Sequence, residues 1–92
     1  MQQQQAERIV ATLRESRVMA HLHSIGVYEF AIRVVLPDGR EAIWDADGAA
    51  GLEATVMRDN VLVGMVRTIP GSEAYDDDTA AAAIAATDYD AA

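Results

Sequence analysis

From Tyr28 to Asp45 the chain reads YEFAIRVVLPDGREAIWD, with apolar and polar positions alternating on either side of Pro37-Asp38-Gly39. Side chains along a strand point to opposite faces in turn, so Phe30, Ile32, Val34 and Leu36 share one face. Proline presets φ at the first loop position, aspartate suits the second, and glycine takes a left-handed conformation at the third without steric cost. The pattern predicts a β-hairpin whose loop sets Leu36 opposite Arg40, Val34 opposite Ala42 and Ile32 opposite Trp44. Its apolar face is then Phe30, Ile32, Val34, Leu36, Ala42 and Trp44. A slip of one position would bring Glu41 and Asp45 into that face, so the register is specified. Glu29, Arg33, Glu41 and Asp45 lie on the other face, where exposed charge pairs contribute only about 0.2–1 kcal/mol.

Before the hairpin the spacing is helical. Ile9, Val10 and Leu13 line one side, while Glu7, Arg8, Arg14 and Glu15 line the other, which predicts a helix from about Gln3 to Ser16. Residues 1–5 are expected to fray or to form the first turn. The run VMAHLHSI, Val18 to Ile25, fits a continued helix, or a strand with Val18, Ala20 and Leu22 on one side and Met19, His21, His23 and Ile25 on the other. The strand is the preferred reading, and Gly26 would break or bend either structure.

After the hairpin, Ala46-Asp47-Gly48-Ala49-Ala50-Gly51 reads as a flexible connection. Leu52 to Arg58 alternates again, with Leu52, Ala54 and Val56 on one face. Asp59-Asn60 tolerates positive φ and reads as a two-residue turn, after which Val61 to Ile69 returns as a strand. Pairing across this turn places Val56 opposite Val63 and Ala54 opposite Met65. Pro70-Gly71 ends the strand, and SEAYDDD follows as an acidic linker. Thr79 is then expected to cap a short alanine-rich helix to about Thr87, with Asp76 to Asp78 complementing its dipole. Ile84 is its one large anchor, so it should dock weakly. Residues 88–92 are expected to fray, with Tyr89 as a tether.

These elements make one small α+β domain over residues 1–92. An N-terminal helix packs on an antiparallel sheet of two hairpins, four-stranded or, with 18–25, five-stranded, and a short helix closes the chain. The helix is expected to cover Phe30, Ile32, Val34, Leu36, Trp44, Val56 and Val63. The opposite face retains a thinner apolar strip of Val35, Ile43, Met57, Leu62 and Val66. The C-terminal helix, a second copy of the chain or another protein would cover it. Scattered apolar residues on an outer sheet face are also ordinary.

Charge narrows the functional classes. The formal net charge is −8, and all seven basic residues are arginine. Such a chain repels nucleic acid backbones and anionic membranes, which makes nucleic acid an unfavoured partner. Abundant alanine with arginine in place of lysine suggests a GC-rich genome, actinobacterial, phage or halophilic, and carries no functional information. No cysteine is present, which removes disulfides and thiolate chemistry. No cationic-then-apolar leader stands at the start, and no apolar run approaches the roughly 18–20 residues that span a bilayer, so a cytoplasmic location without membrane contact is expected.

Candidate chemistry is sparse. His21 and His23 share a strand face but lack a third ligand. Asp45, Asp47 and Glu53 resemble the start of a calcium loop, yet Ala49, Ala50 and Val56 stand where that loop needs a ligand, a glycine and a glutamate. Asp47-Gly48-Ala49-Ala50-Gly51 lacks the lysine of a phosphate loop and sits among acids. Glu29, Glu41, Asp45 and Asp47 have no hydrophobic cleft in prospect to raise a carboxyl pKa. Trp44 faces the core. No catalytic, cofactor or metal residue is therefore assigned. The sequence is read as a non-catalytic protein-interaction module acting on a protein partner or on itself as a homodimer. An acidic regulator ranks second, binding a basic partner or mimicking nucleic acid through Glu73, Asp76, Asp77 and Asp78. An enzyme ranks last.

Overall fold

A computed structural model describes residues 1–47 and 51–91. The elements run α1 (Gln3–Glu15), β1 (Ala20–Gly26), β2 (Glu29–Val35), β3 (Glu41–Asp47), β4 (Gly51–Arg58), β5 (Val61–Val66), a 3-10 turn (Ser72–Ala74), α2 (Asp77–Ala85) and a second 3-10 turn (Tyr89–Ala91). The strands form one antiparallel five-stranded sheet in the order β1-β2-β3-β4-β5.

Helix α1 buries Ala6, Ile9, Val10 and Leu13. It stops because Arg17 adopts a left-handed φ of 63°, which turns the chain so that the Val18 amide donates to the Leu13 carbonyl at 3.0 Å. That turn brings Val18 and, on β1, Ala20 and Leu22 to the core side, and of the 18–25 segment residues 20–25 are strand. A two-residue turn, Val27-Tyr28, joins it to β2, with a register shift between Ser24 and Gly26. The hairpin of β2 and β3 has the register its sequence specifies: Ile32 faces Trp44 and Val34 faces Ala42. Gly39 takes φ 92°, and the Leu36 amide donates to the Arg40 carbonyl at 2.8 Å. The Asp38 carboxylate accepts from the Arg40 amide and from its Nε, which locks the loop and holds the Asp38 carboxyl below its usual range.

The second hairpin departs from expectation. Asp59 and Asn60 both take positive φ, as a two-residue turn requires. One extra residue then enters β5. Met57 pairs with Leu62, but Val56 pairs with Gly64 and Ala54 with Val66. Val63 has no residue opposite it on β4 and stays 49% exposed instead of joining the core. The bulge exchanges the faces of the residues that follow. Val66 packs against the core and Met65 stands outside, the reverse of simple alternation. Strand β5 ends at Val66, although the Ile69 amide still reaches the Leu52 carbonyl at 2.9 Å.

Helix α2 lies beside α1 on the same face of the sheet. Ala80, Ala81 and Ile84 enter the cluster formed by α1 and by Ile32, Val34, Trp44, Leu52 and Ala54. Its cap is Asp76, whose carboxylate accepts from the Thr79 amide at 2.7 Å, so the cap lies three residues before the expected Thr79. Hydrogen bonding to Thr79 holds the Asp76 carboxyl below the usual range. Trp44 is fully buried, and its Nε1 donates to the Tyr89 hydroxyl at 2.9 Å while the two rings meet edge to face at 6.4 Å. Burial pushes the Tyr89 phenol up, against the opposing effect of the Trp44 hydrogen bond. Arg40 donates to the Tyr89 carbonyl at 3.2 Å and to Asp90 at 2.8 Å, so the chain after α2 is fastened across one end of the core.

Candidate functional site

Because both helices occupy one face, the opposite face of the sheet is left without a covering element among the described residues. Strand pairing writes this outer face as rows. One row runs Val35, Glu41, Met57, Leu62, with Met19 beside Val35 at the β1 end. The next runs His21, Arg33, Ile43, Thr55, Met65. A third carries His23 beside Ala31, and Asp45 beside Glu53. Apolar and charged side chains thus interleave across the surface.

Of the five residues assigned to this face from sequence, Val35, Ile43, Met57 and Leu62 lie on it, with Leu62 54% exposed. Val66 does not, since the bulge turns it to the helix side; Met65 replaces it and is 55% exposed. Arg33 reaches Glu41 at 3.3 Å, a half-exposed pair worth about 0.2–1 kcal/mol. Asp45 and Glu53 stand directly opposite each other, and the like-charge pairing is offset at Asp45, whose carboxylate accepts from the Ala46 amide at 2.8 Å and from the Met1 ammonium at 3.2 Å. The Thr68 hydroxyl donates to Glu53 at 3.0 Å. A shallow depression of about 240 Å³ has Ala31 and Ile43 on its floor and Ile25, Met65, Asp45 and Glu53 around it. It is smaller than the roughly 300–1,000 Å³ typical of small-ligand pockets.

The acidic segment is divided by the fold. Asp76 is spent on the helix cap, and Asp77 accepts from Arg8 Nε at 2.6 Å. Glu73 and Asp78 are exposed. The four carboxylates therefore do not act as one free surface. A depression of about 350 Å³ lies between the 36–40 loop and residues 87–90. Its charged groups answer one another, with Arg40 held between Asp38 and Asp90.

His21 and His23 are half-buried on the outer side of β1, with His21 Nδ1 3.4 Å from an Arg14 guanidinium nitrogen. Among the described residues, no three histidine or acidic side chains gather closely enough to hold a metal ion. The calcium-like set of Asp45, Asp47 and Glu53 and the glycine-containing run at 47–51 depend on residues 48–50, outside the described residues. No helix among the described residues is long and apolar enough to cross a membrane.

Sequence alternation overlooks Met65 and the exposed apolar residues Val61 and Val63 on β5. The available signal was Gly64, a glycine within a strand, which commonly marks a bulge. Compared with protein-family models, curated proteins and solved structures, the chain has no match. The class defined by the fold is a two-layer α+β domain with one covered and one open sheet face.

Proposed function

We propose that this chain is a non-catalytic protein-interaction module whose contact surface is the open face of the sheet. The observation that carries this reading is the placement of both helices on one side, which leaves Val35, Ile43, Met57, Leu62 and Met65 on the other without a covering element among the described residues. Their spacing between Arg33, Glu41, Asp45 and Glu53 suits a protein surface of mixed polarity, since interfaces bury apolar patches inside a polar rim. The occupant is another protein or a second copy of the chain. The shallow floor at Ala31 and Ile43 favours a protrusion from a protein over a small substrate.

Met57→Glu tests the reading. Its side chain is half-buried among outer-face neighbours, so the charge should leave far-UV and near-UV circular dichroism unchanged. Association through the face should weaken by about tenfold or more, read as solution mass by light scattering over a wide concentration range. Association that persists unchanged in a folded Met57→Glu protein would remove this face from the interaction. The acidic-regulator reading is supported less, because Asp76 and Asp77 already have partners within the fold.

A further inference from the structure

Fifteen acidic residues stand against seven arginines, so a carboxylate partner is easy for an arginine to find. Four arginines have one. Arg8 pairs with Asp77, Arg33 with Glu41, Arg40 with Asp38 and Asp90, and Arg58 with Asp38. Arg14 and Arg17 have no carboxylate partner among the described residues, although both are exposed and lie three positions apart. They stand at the corner where α1 ends and β1 begins. A depression of about 290 Å³ there is lined by Arg14, Arg17, Val18, Met19, Ala20 and His21, with no acidic residue among them. The helix end does not use up this charge, because the Thr12, Leu13 and Arg14 carbonyls accept from the Ser16, Arg17 and Val18 amides. The Arg14 guanidinium is already oriented. Its Nε donates to the Ala20 carbonyl at 2.9 Å, and a terminal nitrogen stands 3.4 Å from His21 Nδ1. Arg17 occupies the left-handed position that ends the helix, at φ 63°, where glycine is usual and a larger residue is strained.

We infer that this corner binds an acidic segment of a partner protein, with carboxylates against Arg14 and Arg17 and an apolar side chain against Met19. Met19 is 62% exposed, and its carbonyl accepts from the Val35 amide, so the corner is continuous with the open face. The inference rests on the proposed use of that face for the apolar half of the contact, and it adds the charge of the partner. Charge complementarity selects the occupant. Guanidinium groups take carboxylates through paired N–H donors. On the face itself the charge of Arg33 is met by Glu41, while Asp45 and Glu53 occupy another row. In a chain of net charge −8 an acidic segment is repelled over most of the remaining surface, so the corner fixes where it lands and which way it runs. A nucleic acid carries a phosphate at every step, and a second copy carries the same −8. Both fit less well than a segment whose acids are confined to one end.

The test follows the fluorescence anisotropy of a short labelled peptide alternating glutamate and leucine, with its glutamine–leucine counterpart as the uncharged control. The wild-type protein should bind the first about tenfold more tightly than the second, and the difference should shrink several-fold as salt rises. Arg17→Gly removes the side chain but suits the left-handed turn, so it should keep or raise the urea midpoint while weakening binding about fivefold. Arg17→Glu should weaken it about tenfold. Arg67→Glu makes the same change in net charge at an exposed site beyond β5, and it should bind as the wild type does. Equal weakening by Arg17→Glu and Arg67→Glu would reduce the effect to net charge and overturn the inference. So would a wild-type protein without preference for the glutamate peptide. Self-association dispersed by Arg17→Glu, with no peptide bound, would give the corner to a second copy instead. Met57→Glu separates the two readings. Binding lost in both Arg17→Glu and Met57→Glu supports the corner and the open face together. Binding lost in Arg17→Glu alone supports the corner and removes the face, and binding lost in Met57→Glu alone removes the corner.

Discussion

Trp44→Ala is expected to destabilise the domain by about 3–5 kcal/mol, the usual loss when a buried tryptophan is truncated to alanine. Domains of this size are held by about 5–15 kcal/mol in total, so a large part of the folded population is at stake. Trp44 is fully buried, sits opposite both Ile32 on β2 and Ala54 on β4, and touches Tyr89 from beyond α2. Removing it opens a cavity where sheet, helices and C-terminal turn meet. Urea denaturation followed by far-UV circular dichroism is the proper measurement, because the fluorescent reporter disappears with the residue. Tyr89→Phe separates the hydrogen bond from the ring. It keeps the aromatic packing but leaves the buried indole N–H without its acceptor, at about 1–3 kcal/mol. A Trp44→Ala loss no larger than that of Tyr89→Phe would show that the ring is not central to the core.

Gly51→Ala is the second large effect, at about 2–4 kcal/mol. Gly51 opens β4 with φ 89°, a conformation strained for any residue with a Cβ. An added Cβ would collide with the Ser72 hydroxyl and lie 3.1 Å from the Glu73 amide nitrogen. That hydroxyl accepts from the Leu52 amide at 2.8 Å and donates to the Ile69 carbonyl, so displacing it breaks buried hydrogen bonds that tie the β5 exit to β4. Gly39→Ala is the control. Gly39 has a similar φ of 92° but open space around it, so it reports conformational strain alone. Equal losses at the two positions, measured as urea midpoints, would show that the contact with Ser72 contributes nothing.

The sequence was informative where local chemistry decides structure. Pro37-Asp38-Gly39 fixed a loop length, and the loop length fixed the pairing of Ile32 with Trp44 across two strands. It was less informative where one residue changes the count. Nothing in the apolar character of Val61 to Val66 distinguishes a straight strand from a bulged one, and a single extra residue exchanged Met65 and Val66 between water and core. Gly64 was the only local sign. The side taken by α2 was hidden for a different reason. It depends on the path of residues 67–76 and on a pairing of Arg8 with Asp77, 69 positions apart, which no periodicity encodes. Hence the candidate face was legible as a strip of apolar positions, while its openness and its edge were not.

The unbroken order of the strands, each pairing with the next in the chain, has a kinetic consequence. Every strand pair closes a short loop, so the sheet can grow by zipping from the β2–β3 hairpin at little entropic cost. Contacts of α2 and Tyr89 with α1 and Trp44 close far longer loops and should form after the rate-limiting step. Ile84→Val should then mainly accelerate unfolding, whereas Ile32→Val should mainly slow folding, as read from the two arms of a chevron plot. The opposite partition would mean that the two helices meet before the sheet is built. On the expected order, the last segment to be secured is also the first to be released. The C-terminal turn would then detach transiently while the sheet stays intact, exposing the tryptophan without unfolding the domain.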